Sequence, residues 1–131
     1  MLRLNINTGS SYEQKTGCSS GVRINGLVEI GATLALGEDG EPLGKNDPYL
    51  QAKYALERAD KLLFEAGAFL KDVIRTRLYV TDISVIDDYM RAHREIFCSI
   101  KPCTSVIEVS SLCMPGMMVA VKLTAVVPDF F

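Results

Sequence analysis

The sequence predicts an α+β domain in which one mixed sheet carries two helices on a single face, in the order ββαβαββ. Three features carry that expectation: an Asn25-Gly26 turn between β-rich runs, two amphipathic helical segments, and three further runs rich in valine and isoleucine. Two helices cannot cover both faces of a sheet, so one face is left open. With 131 residues, 48% of them hydrophobic and 23% charged, the chain reads as one domain over residues 1–131. At this size about two-thirds of the unfolded chain's surface is buried on folding, enough without disulfides or metal.

Residues 21–35 form the first hairpin. Asn-Gly is the preferred pair for a type I′ turn, and Val22, Ile24, Leu27, Val28 and Ile30 flank it. Gly31 then interrupts a strand pattern, which marks either a bulge or the close approach of another group to the backbone. Gly37 to Gly44 reads as a polar loop. Asp47-Pro48 places a capping carboxylate before a proline suited to the first helical turn. Ala52, Ala55, Leu56, Ala59, Leu62, Leu63 and Ala66 follow at helical spacing, and Gly67 supplies the stop.

Residues 73–81 alternate as a strand. Ile74, Thr76, Leu78 and Val80 are expected to face the helices, and Val73, Arg75, Arg77 and Tyr79 to point away. A second helix is expected from Ser84, with Asp87 in capping-box position, to about Phe97 on a stripe of Tyr89, His93 and Ile96. Residues 104–110 and 117–127, separated by Pro115-Gly116, read as an antiparallel pair. On that reading the open face carries Arg75, Arg77, Tyr79, Thr104, Glu108, Ala120 and Lys122. An uncovered face of mixed polarity generally finds a partner subunit.

The net charge of -2 gives no broad positive field for a phosphate backbone, which disfavours nucleic acid as a partner. No run approaches the roughly 18 apolar residues of a membrane span, so no membrane partner is expected and a cytoplasmic protein is the default. Cys18, Cys98, Cys103 and Cys113 show no C-x-x-C spacing and read as free thiols; no metal and no cofactor is called for. Cys103 as a nucleophile would need a base, and the only histidine, His93, sits on an apolar helix stripe where a hydrogen-bonded core role is the common one. Asp87 and Asp88 point about 100° apart on a helix and make no carboxylate pair. Glu108 and Lys122 read as an ion pair across neighbouring strands or a subunit seam, with a catalytic couple as the alternative.

The element order resembles the Rid (reactive intermediate deaminase, YjgF-like) family, also labelled endoribonuclease L-PSP. The resemblance rests on DVIRTRLYVTDI, on EAG at the end of the first helix, on IKPCTSVIEVSSL and on the final VAVKLTAVV. It implies a chorismate-mutase-like fold and a homotrimer with ligand clefts between subunits. Active members hydrolyse imines derived from amino acids, so an enzyme of this kind would be a deaminase acting on C–N bonds. In them an arginine of a P-A-R signature grips the substrate carboxylate and a glutamate on the last strand positions water. A guanidinium suits that task because it binds a carboxylate bidentately and orients the adjacent C=N.

Here the arginine position is Thr104, within Pro102-Cys103-Thr104, and the glutamate position is Ala120. Cys18 and Ile30 stand where an aromatic and a small polar residue are usual, and Gly31 carries over. The resemblance therefore implies a cleft for a small carboxylate or imine-like metabolite, lined by Cys18, Gly31, Arg77, Tyr79, Cys103, Thr104, Glu108 and Ala120, with the usual deaminase activity lost. An endoribonuclease and a non-catalytic binding trimer are the alternatives. Arg77 stands where the family strand has threonine, and two roles remain open: anion anchor of the cleft, or partner with Arg75 of Glu29 and Glu108 across an interface.

Overall fold

In the computed structural model, which describes residues 2–128, a six-stranded sheet runs in the order β1-β2-β3-β6-β4-β5. Met1 and residues 129–131, part of the expected single domain, lie outside the described residues. The elements are β1 (Arg3–Ile6), α1 (Ser11–Thr16), β2 (Gly21–Ile24), β3 (Leu27–Thr33), α2 (Pro48–Glu65), β4 (Val73–Val80), α3 (Ile86–Phe97), β5 (Cys103–Glu108) and β6 (Val119–Val126). The α+β class with α2 and α3 against a mixed sheet is as the sequence predicts. Among the described residues no helix is long and apolar enough to cross a membrane.

Two elements were not foreseen. β1 is a four-residue edge strand with only Ile6 buried, too short for a period to register, and α1 has six residues. The latter did leave a trace: Ser10 and Glu13 form a capping box.

The larger correction concerns the last two strands, which are not paired. β5 lies parallel to β4 at the sheet edge, while β6 inserts between β3 and β4, antiparallel to both. The β4–α3–β5 segment is a crossover unit, which places its second strand parallel to its first. The connection from β5 to β6 is too long for a tight hairpin and carries the chain across β4.

Local corrections have local causes. Asn25 takes a positive φ of 54° and Gly26 does not, the sign pattern of a type II′ rather than a type I′ turn. Glycine is still required at position 26, because an added Cβ would lie 2.6 Å from the Val127 carbonyl oxygen. At the start of β4 a bulge between Val73 and Arg75 reverses the expected alternation, burying Val73 and leaving Ile74 53% exposed. α3 begins at Ile86 after a 3-10 turn over Ile83–Val85. Asp82 caps that turn by accepting from the Ser84 N–H at 3.0 Å, and α3 itself, with Val85 at its N-cap, has no side-chain cap, so the expected Ser84/Asp87 box does not form.

The core lies between the sheet and the two helices. All seven predicted apolar positions of α2 are buried, as are Tyr89, Ala92 and Phe97 of α3. They meet Val28, Ile30, Leu78, Val80, Val119, Val121 and Leu123 from the sheet. A large aliphatic side chain buried in this way contributes about 1.5–3 kcal/mol. Asp47 caps α2 by accepting from the Leu50 N–H at 3.0 Å, and Gly67 ends the helix region with φ 78°.

The N-terminal turn depends on one carboxylate. Glu13 accepts from the backbone N–H of Thr8 (2.9 Å), Gly9 (2.9 Å) and Ser10 (3.1 Å) and from Ser20 Oγ (2.6 Å). Burial works against its charge, but the bonds from Ser20, Thr8 and Ser10 outweigh that and bring its pKa from 4.5 to about 2. A depressed carboxylate stabilises the fold above pH 4.5, and that contribution is lost as the pH falls from there toward 2. Glu13→Gln should therefore cost about 1.5–3 kcal/mol in urea unfolding at neutral pH. The deficit should shrink as both proteins are acidified through that window; a deficit independent of pH would contradict this role.

Candidate functional site

The open face presents a row of charges fixed by strand register. On it Arg77 of β4 stands directly opposite Lys122 of β6, Arg75 opposite Thr124, and Tyr79 opposite Ala120. From the other side of β6, Glu29 of β3 stands opposite Thr124. A cavity of about 270 Å³ lies here, lined by Glu29, Ile30, Gly31, Arg75, Arg77, Lys122 and Thr124.

The charges are unequally matched. Thr124 Oγ1 donates to Glu29 Oε1 at 2.6 Å and accepts from Arg75 Nη2 at 3.4 Å, with Arg75 Nη2 4.0 Å from Glu29 Oε2. Arg75 thus has a carboxylate partner. Among the described residues Arg77 and Lys122 have none within 4.0 Å. Like charges directly opposite on neighbouring strands destabilise the pair. An anion between them would remove that repulsion and gain charge-assisted hydrogen bonds.

Of the residues the sequence proposed for a cleft, this cavity gathers Gly31 and Arg77. Gly31 lies in a bulge between Ile30 and Thr33, and an added Cβ would meet only the Ser20 carbonyl at 3.5 Å, ordinary contact. The bulge is therefore the reason for the irregularity. Its N–H donates to the Ser20 carbonyl at 2.9 Å, and its carbonyl accepts from Thr33 Oγ1 at 2.8 Å. Tyr79 and Ala120 adjoin on the same face, with Ala120 buried. Cys103 is exposed on β5 opposite Arg75. Cys18 is exposed outside the cavity, its Sγ 3.0 Å from Thr16 Oγ1.

Two expected members of the open face belong elsewhere. The parallel register sets Thr104 beside Thr76 and Glu108 beside Val80, on the side that the helices cover. Thr104 Oγ1 lies 2.8 Å from Thr76 Oγ1 and 3.5 Å from His93 Nε2, and it donates to the Pro102 carbonyl at 3.1 Å. Glu108 accepts from the Ile83 N–H at 2.9 Å. Because β4 separates β5 from β6, Glu108 and Lys122 are not on neighbouring strands. Within the chain, among the described residues, Glu108 and Arg77 do not come within 4.0 Å of each other.

His93 is a buried, hydrogen-bonded core residue. Its Nε2 lies 2.8 Å from Thr76 Oγ1 and its ring centroid 4.7 Å from that of Phe97, and burial pushes its pKa below 6.5. Asp88 pairs with Arg91 at 3.6 Å on the surface of α3. The four cysteines are free, and no group of three His, Cys, Asp or Glu residues is placed to hold a metal among the described residues. Thr124 escaped sequence reasoning, since its contact with Glu29 depends on β6 lying beside β3.

Comparison with known proteins gives a consistent result. The endoribonuclease L-PSP family model matches residues 9–127. An uncharacterized Streptomyces coelicolor protein, SCO2049, is 31% identical over 121 residues, spanning 92% of this chain and 89% of that protein. The crystal structure of Rv2704 from Mycobacterium tuberculosis, a member of the YjgF/YER057c/UK114 family, matches with a TM-score of 0.87 at 38% identity, covering 96% of this chain and all 100% of that one. YyfA from Yersinia pestis, a Rid-family protein of unknown function, shares the fold with a TM-score of 0.85 at 22% identity, over 96% of this chain and 100% of its own. With its chorismate-mutase-like fold and a family match across nearly its whole length, this chain belongs to the YjgF/Rid group of the endoribonuclease L-PSP family.

Proposed function

We propose that the protein is a homotrimer whose open sheet face contributes to a cleft between subunits, that this cleft takes a small carboxylate or imine-like metabolite, and that the usual 2-imino acid hydrolysis is lost. The observation that carries the reading is the Arg77–Lys122 juxtaposition, two cations opposite each other in a cavity with no carboxylate of their own. Arg77 is the anchor, since its planar fork stays protonated and engages a carboxylate through two parallel bonds. Lys122 adds a point charge on the other side.

The lost chemistry follows from two positions. Thr104, where the family arginine stands, is engaged with Thr76 and Pro102 on the helix side, and Ala120, where the glutamate stands, has no group to orient water. Losing one transition-state anchor typically costs about a hundred- to a thousandfold in rate, and here both groups are absent. The ribonuclease activity in the family's name finds little support: acid–base cleavage needs two proton-transfer groups beside a phosphate site, and the single histidine is buried against Thr76 and Phe97.

Titration calorimetry with a panel of small carboxylates, with light scattering to follow assembly, tests the anchor. Arg77→Met should weaken binding at least about tenfold while remaining trimeric. Unchanged binding in an assembled mutant contradicts the anchor role, and dissociation into monomers assigns Arg77 to an interface ion pair. In a coupled assay, hydrolysis of 2-iminobutanoate should stay close to the uncatalysed rate. Thr104→Arg alone should restore little, because that side chain starts from the helix-covered side and Ala120 still lacks a carboxylate. Turnover at the level of active relatives would overturn the claim of lost deamination.

A further inference from the structure

A second and larger concavity, about 810 Å³, lies on the other side of the sheet between the turn around Gly9, the 36–43 loop and the flank of α2. It shares no lining residue with the cavity at Arg77.

The group that needs explaining there is Arg58. It projects from α2 into this concavity, half buried, and burial pulls its pKa down, opposed only by the charge of Glu13. A guanidinium has five N–H donors. Those of Arg58 make a single long bond, Nη1 to the Leu34 carbonyl at 3.4 Å, and no carboxylate lies within 4.0 Å of it among the described residues. Glu13 is already engaged by the N–H groups of Thr8, Gly9 and Ser10 and by Ser20. A cation taken partly out of water without a partner is costly, which points to an anionic group supplied from outside.

The rest of the wall narrows the ligand. Besides Arg58 the lining carries one cation, Lys61, and four acids, Glu38, Asp39, Glu57 and Glu65, so two positive charges face four negative ones, net -2. Glu57 and Glu65 each stand four residues from Lys61 on α2, the spacing at which opposite helix charges attract, though neither comes within 4.0 Å of its ammonium among the described residues. A plain anion would gain from Arg58 and be repelled by the rim. A plain cation would leave Arg58 unmatched. A small zwitterion satisfies both, and Leu36, Leu43 and Leu62 supply apolar surface for a side chain.

We infer that this concavity binds an aliphatic α-amino acid, its carboxylate on Arg58, its ammonium toward the acidic rim and its side chain against the leucines. The site is independent of the carboxylate cleft at Arg77.

Amide and arginine Nε–H NMR shifts during titration test it, using L-leucine, 4-methylpentanoate and 3-methylbutylamine on the full-length protein. L-Leucine should shift the signals of Gly9, Gly37, Gly40 and Arg58, and each half-molecule should bind at least about tenfold more weakly. Arg58→Gln should weaken L-leucine by a similar factor. Leu43→Trp, a filling change at a side chain already 38% exposed, should weaken it without touching Arg58. Carboxylate binding at Arg77 should be unaffected by either variant. The inference is overturned if 4-methylpentanoate binds as tightly as L-leucine, if no ligand shifts these signals, or if Leu43→Trp leaves L-leucine binding unchanged.

Discussion

The antiparallel pairing of β6 with β4 is the constraint on which the rest of the structure depends. It sends Val119, Val121 and Leu123 into the core beneath α2, and by strict alternation it turns Ala120 and Lys122 to the other face. A slip of one residue would bury a lysine and expose the core, so the hydrophobic pattern leaves no freedom over which residue of β4 opposes Lys122. That residue is Arg77. The repulsion at the open face is thus a consequence of the same register that packs the interior.

This organisation separates two kinds of polar chemistry. On the helix-covered side, Thr76, Thr104 and His93 satisfy one another in a small buried network. Buried polar groups are tolerated when hydrogen-bonded in this way, and such a network fixes Thr104 rather than leaving it available to a ligand. On the open side, Arg75, Glu29 and Thr124 form a matched set, while Arg77 and Lys122 have no carboxylate within 4.0 Å among the described residues. The substitution pattern implied by the family resemblance reads accordingly: the guanidinium missing from β5 is accompanied by one on β4, one strand closer to β3 and its bulged Gly31.

What the sequence disclosed was local. The Asp47 cap, the α2 stripe and the Gly67 stop are encoded within one helix, and all appear where the residues put them. The face assignment of Arg77 and Tyr79 held because the alternation beyond the bulge is regular. The faces of Thr104 and Glu108 were misjudged because a strand's face depends on its partner: the parallel crossover through α3, absent from the run of residues 104–110 itself, sets their register. Pro115-Gly116 suggested a hairpin, yet the chain passes over β4 before it pairs. The 810 Å³ concavity had no sequence signal, since Arg58 meets the 36–43 loop only in the folded chain.

The central claim, that Arg77 and Lys122 form an anion site held in electrostatic tension, is tested most directly by the stability of Lys122→Met at low salt with and without succinate. Without the anion, removing one of two opposed cations should stabilise the protein by about 0.2–1 kcal/mol relative to the parent. With succinate, the parent should gain stability by ligand linkage and the variant should gain much less. A variant that is destabilised without succinate, and stabilised by it as much as the parent, would contradict the account.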